Sequence, residues 1–175
     1  MEKVKSGKNR SGSEIRQGAE QAGGSGEAWN RGRAPEDWWG EMERFHGHVG
    51  PWNVLGWRIG QAALRELGSG WGRHEIELIC YCPPATPYTC LFDGLIAGTG
   101  NSPGRLDARL QEAFVMAQIH VAARRKDGSG PTLLFEPSLD YLRSISGKPH
   151  EELERLARDA AQRPESELFA VRRIA

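Results

Sequence analysis

The stretch WNVLGWRIGQAALRELGSGWGRHEIELICYC, residues 52–82, changes its apolar period halfway along, and that change sets the fold class. From Trp52 to Leu67 the apolar residues recur at three-and-four spacing, the period of a helix, and Gly68 supplies a left-handed stop. From His74 to Cys82 they alternate as in a strand. Ile76, Leu78, Cys80 and Cys82 share one face, Glu75, Glu77, Ile79 and Tyr81 the other, and Pro83-Pro84 ends the run. Helix and strand signals then mix without a βαβ rhythm, which predicts the α+β class. Gly56 and Gly60, four residues apart on the helix, point to close packing on the sheet rather than to a ligand cleft.

Upstream, Pro35, Glu36 and Asp37 open a short helix carrying Trp38, Trp39, Met42 and Phe45 on one stripe, which delivers the chain to His46. Residues 1–33 hold almost no large apolar side chain and read as a flexible tail, leaving residues 34–175 as one domain. Downstream, Thr86-Pro87 opens a helix from about Tyr88 to Ala97, with Cys90 in its first turns. The segment 106–125 reads as strands, with Phe114 to Val121 as a buried one, and Lys126-Asp127-Gly128-Ser129-Gly130 as a hairpin turn into Thr132 to Phe135. A helix over His150–Gln162 and a last strand over Glu167–Ile174 complete the reading.

The chain has 175 residues with 23 basic and 23 acidic side chains, so its formal net charge is zero. Scattered Lys and Arg offer no basic face for phosphate backbones, which excludes nucleic acid as the expected partner. No apolar run approaches the roughly 20 residues that span a bilayer, and no signal-peptide core opens the sequence, so a soluble, membrane-free protein is expected. Three closely spaced cysteines, Cys80, Cys82 and Cys90, suit a reducing compartment such as the cytoplasm better than a disulfide framework.

His46-Gly47-His48 places two imidazoles within reach of one ion, because Gly47 permits an irregular backbone and Gly50-Pro51 holds the loop before the next helix. Imidazole and thiolate together suit zinc first and iron, cobalt or nickel as alternatives, and catalytic sites commonly use three protein ligands and leave a position open. His46, His48 and Cys90 could supply that set. Cys90 is favoured among the thiols because amide donors and the dipole at a helix start stabilise thiolate. Cys80 reads as a buried inert thiol, while Cys82, at the strand end, stays open between ligand and core residue. Asp93, three residues after Cys90, could turn its carboxylate into the same pocket or lie on a solvated face. His74, His120 and His150 lack partner spacing and read as surface or packing residues. Trp38, Trp39, Trp52 and Trp57 flank the histidines and could wall a pocket, form an interface or fill the core.

Phe45-His-Gly-His-Val-Gly-Pro51, with Leu55-Gly56 and the run Ala62 to Gly68 behind it, resembles the N-terminal signature of the FmdE family, which takes its name from formylmethanofuran dehydrogenase. Cys90-Leu-Phe-Asp93-Gly94-Leu-Ile-Ala-Gly-Thr99-Gly100-Asn101 resembles its second block. The resemblance implies an α+β domain with a mixed β-sheet packed by helices, similar to the catalytic domain of glyceraldehyde-3-phosphate dehydrogenase, and assembly as a homodimer. It also implies a metal site carried onto His46, His48 and Cys90, and a place beside a larger enzyme complex of one-carbon or redox metabolism. The chain departs from the family pattern in three ways. Val49 and Asn101 stand where many members have Cys, and the cysteine-rich zinc-finger tail of many members has no counterpart in these residues. Cys82 is the local substitute for the missing thiols.

Three functions follow from these readings. The first is a metal-binding accessory subunit or small enzyme. The second is a metal-free enzyme with Cys90 as nucleophile, His46 or His48 as base and Asp93 as orienter. The third is a non-catalytic dimeric scaffold or partner subunit.

Overall fold

Asp37, as expected of an acidic helix start, accepts a hydrogen bond from the Gly40 amide (2.9 Å) and caps α1, Trp38–His46. The computed structural model describes residues 32–174, so the tail expected over 1–33 falls, but for its last two residues, outside the described part. The elements that follow are α2 (Pro51–Glu66), β1 (Ile76–Cys82), α3 (Cys90–Thr99), β2 (Ala108–Glu112), β3 (His120–Arg125) and β4 (Thr132–Pro137). Then come α4 (Leu139–Ile145), α5 (His150–Gln162), the single turn α6 (Glu165–Leu168) and β5 (Phe169–Ile174).

The strands form one mixed sheet in the order β2-β1-β3-β4-β5. Cys80 on β1 faces Leu110 of β2 in a parallel pairing and Val121 of β3 in an antiparallel one. The β3–β4 hairpin and the β4–β5 pair are also antiparallel. The strand period read from the sequence holds along β1: Ile76, Leu78, Cys80 and Cys82 are buried and the residues between them are half-buried. The class is α+β, with a mixed sheet packed by helices.

Helix α2 is buried nearly all round, from Trp52, Val54 and Leu55 to Ile59, Ala62, Ala63 and Leu64, because it has neighbours on several sides. Its main neighbour is α3 rather than the sheet, which corrects the expectation for Gly56 and Gly60. A Cβ on Gly56 would fall on the Leu91 carbonyl, one on Gly94 would fall on the Asn53 carbonyl, and one on Gly60 would press on the Thr99 methyl at 3.0 Å. The glycines therefore bring two helix backbones into direct contact. On another side, the Arg58 guanidinium donates to the carbonyls of Ala160 (3.2 Å), Ala161 (2.9 Å) and Arg163 (3.0 Å), satisfying the open end of α5.

Several local expectations are corrected. The β1-α3-β2 connection is a βαβ unit with parallel strands, although no βαβ rhythm was expected. Helix α3 begins at Cys90, and Thr86-Pro87 belongs to the turn before it. Phe114 to Val121 is not one buried strand: Phe114 is 81% exposed, and β3 starts only at His120. Helix α4 lies in a stretch for which no element was expected, its Ser138 cap accepting from the Tyr141 amide. Glu167 and Leu168 sit in the turn α6, so the last strand starts at Phe169.

Near the start of β1 a buried polar cluster ties the loops together. Asn101 donates through Nδ2 to the carbonyls of Ile76 (2.9 Å) and Asp107 (3.0 Å). The Asp107 carboxylate accepts from the Ser102 amide (2.7 Å), His74 Nδ1 (2.9 Å) and Lys126 Nζ (3.2 Å). Burial pushes the Asp107 carboxyl up, but the Ser102, Lys126 and His74 donors outweigh it and hold the group below the ordinary aspartate value. His74, read as a surface or packing residue, thus has a structural role through Asp107.

Candidate metal centre

His46 is the last residue of α1, and Gly47 follows with φ at +91°, a left-handed conformation that reverses the chain. No atom lies within 4 Å of where a Gly47 Cβ would stand, so the backbone angle is the reason for glycine here. The reversal sets the His46 and His48 rings 4.8 Å apart, centroid to centroid.

Asn53 fixes this loop to the start of α3. Its Oδ1 accepts from the Gly50 amide (3.0 Å), and its Nδ2 donates to the Cys90 carbonyl (3.2 Å). The side chain is fully buried, so both bonds form away from water competition. Sequence reading passed over Asn53, although an amide three residues after a Gly-Pro helix start is a capping signal.

Asp93, one turn after Cys90, reaches the loop: its Oδ2 lies 2.7 Å from His46 Nδ1. A carboxylate only accepts, so Nδ1 is the donor, and a neutral ring in that tautomer has the Nε2 lone pair for a ligand. This carboxylate–imidazole arrangement orients metal-binding histidines and raises their basicity. Of the two readings open for Asp93, the pocket-facing one is the observed one. His48 is held below the ordinary histidine pKa, first by burial and then by repulsion from His46 and His150, which keeps it in the neutral form that binds metals.

The three thiols are free and buried. Cys80 donates to Cys82, which together with burial drives the Cys80 pKa well up, while the same bond draws Cys82 down. The Cys82 sulfur is thus the member of the pair that ionises first. Cys90 departs from expectation. Burial pushes its thiol up, and the nearby Asp93 and Cys82 charges add to that, outweighing its own backbone amide at the helix start. A helix terminus stabilises thiolate only where the sulfur is not also buried beside a negative charge.

Sequence reading assigned His150 to surface or packing, yet its ring lies 5.9 Å from that of His48. The two rings, with Gly47 and Val49, line a cavity of about 370 Å³ between the end of α1 and the start of α5, with Glu43 and Glu154 on its wall. Contacts between segments so far apart in sequence leave no spacing signal. A larger cavity of about 810 Å³, walled by Trp38, Phe45, Trp71 and Ile96, contains none of the expected ligands. Trp38, on the wall of that cavity, stacks on Trp57 at 4.2 Å and so joins α1 to α2, and Trp52 packs edge-on to Tyr88, in the turn before α3, at 5.3 Å.

Among the described residues, no three His, Cys, Asp or Glu side chains already stand in coordinating positions. The structure brings His46 together with His48 and Asp93, and Cys90 near Asp93 and Cys82, while no direct contact joins a thiol to an imidazole among the described residues. No helix among the described residues is long and apolar enough to cross a membrane. No curated protein matches the chain. The model of one protein family, described as FmdE, molybdenum formylmethanofuran dehydrogenase operon, matches residues 45–170, a span that takes in the His-Gly-His loop, all three cysteines, Asp93 and His150. The chain belongs to the FmdE family.

Proposed function

We propose that this chain is a metal-binding FmdE protein that holds one divalent transition ion, zinc first with iron, cobalt or nickel as alternatives, through His46, His48 and Cys90, with Cys82 as the next available thiol. The observation that supports it most is the 2.7 Å bond to His46 Nδ1 from Asp93, which stands one helical turn from Cys90. Such an ion with an open position polarises a bound ligand or activates water. The protein's own part is positional: Asn53 ties loop to helix, Asp93 orients His46, and His48 stays neutral. The family description names an operon, and an accessory subunit or small enzyme linked to formylmethanofuran, one-carbon or redox metabolism is the role that fits it. A homodimer and docking to a larger enzyme belong to the same proposal, as does a reducing, cytoplasm-like compartment that keeps the thiols free.

Elemental analysis of protein purified without chelator tests it. About one metal per chain is expected, falling at least tenfold in His48→Ala and in Cys90→Ala. Metal-free wild type whose melting temperature does not respond to zinc would end the proposal.

The His46–Asp93 pair also fits the base and orienter of a thiol enzyme, which keeps the metal-free reading with Cys90 as nucleophile in view. The raised Cys90 pKa disfavours it, because a nucleophile needs ready thiolate. Alkylation separates the two: a nucleophile reacts at once near neutral pH, whereas a metal-held sulfur reacts only after chelation.

A further inference from the structure

His48 stands between two other imidazoles. Its ring centroid is 4.8 Å from that of His46 and 5.9 Å from that of His150, with 49° between the planes in each case. A ring centre lies little more than about 3 Å from an ion that one of its nitrogens binds at about 2.0–2.1 Å, so two rings sharing an ion have centres within roughly 6.5 Å. Both separations satisfy that limit, and the His48 and His150 rings border the same cavity of about 370 Å³.

Two of the carboxylates on the cavity wall are engaged elsewhere. Glu43 accepts from Trp39 Nε1 at 3.0 Å, and Glu154 accepts from Arg158 at 2.6 Å. The two imidazoles share the cavity with the third carboxylate, Glu151. The far end of α5 is fixed by the Arg58 bonds to Ala161 (2.9 Å) and Arg163 (3.0 Å) and by the burial of Ala157 and Ala160, while His150 is exposed in the first turn. Its side chain borders the cavity.

We propose that His150 is a further ligand of the metal site, so that a divalent zinc-type ion held at the His-Gly-His loop is also bound by an imidazole from the start of α5. This rests on the metal reading above and adds to it a residue outside both sequence blocks. Bound metal then pins the first turn of α5 to the end of α1.

Zinc affinity of the full chain, measured by competition with a chromophoric chelator, tests it in wild type, His150→Ala and His120→Ala. His150→Ala is expected to bind zinc at least about tenfold more weakly, with the melting temperature of zinc-free protein unchanged, and His120→Ala to bind as wild type does. Wild-type affinity in His150→Ala, or an equal loss in His120→Ala, would overturn the assignment of His150 while leaving the metal reading intact. Wild type that binds no zinc would overturn both.

Discussion

His46 meets Asp93 at 2.7 Å and His74 meets Asp107 at 2.9 Å, so by length the two pairs are alike. Their surroundings differ. The Asp107 side chain is 0% exposed and also receives the Ser102 amide and Lys126, so three donors hold it and it serves as a staple between the loops near the start of β1. The Asp93 side chain is 33% exposed and holds its partner histidine beside a second imidazole. A buried carboxylate held by three donors stabilises, whereas a partly exposed one on a single imidazole orients that ring.

The comparison breaks first at the helix contact beneath the Asp93 pair. Gly94→Ala puts a methyl on the Asn53 carbonyl and should cost about 3 kcal/mol, read as a large fall in melting temperature. Denaturant midpoints equal to those of wild type would show that α2 and α3 do not meet backbone to backbone. Asp107→Asn comes next, at about 2 kcal/mol near neutral pH, because Lys126 and His74 lose their acceptor. Its pH dependence has a defined sign. The folded-state pKa of Asp107 is depressed below 3.8, so its stabilisation is complete above that value and is lost as the pH falls from there toward the folded pKa. The gap in melting temperature between wild type and Asp107→Asn should close over that acidic range.

Asp93→Asn sharpens the contrast from the other side. It should change stability by less than about 1 kcal/mol, since the site is partly open to solvent, yet weaken zinc binding by about tenfold or more in a calorimetric titration. The smallest effect belongs to His120→Ala. That ring stacks on Tyr81 at 4.3 Å and bonds to the Gln118 carbonyl, and its loss should shift chemical denaturation by no more than about 0.5 kcal/mol.

What was legible in the sequence was whatever a local period or a short motif carries. The α2 and β1 patterns, the α5 bounds His150–Gln162 and the hairpin after β3 are of that kind. So is the His-Gly-His reversal, while the turn of Asp93 toward it was one of two readings left open. Features set by tertiary neighbours were not. Gly56 and Gly94 are small because another helix comes down on them, and nothing in their own helices says which surface that will be. Asp107 and His74 lie 33 residues apart, and His150 joins His48 only because Arg58 anchors α5 against α2. The raised Cys90 pKa was hidden for the same reason: the helix start is local, but burial and the neighbouring charges that outweigh it are not.

The most direct test of a metal held by imidazole and thiolate is a cobalt(II) titration of the metal-free full chain, followed by absorption. The expected result is a thiolate-to-cobalt charge-transfer band that saturates at one equivalent per chain, is displaced by zinc, and is lost in Cys90→Ala. Cobalt binding without that band, or no saturable binding at all, would contradict a site shared by the His-Gly-His loop and the start of α3.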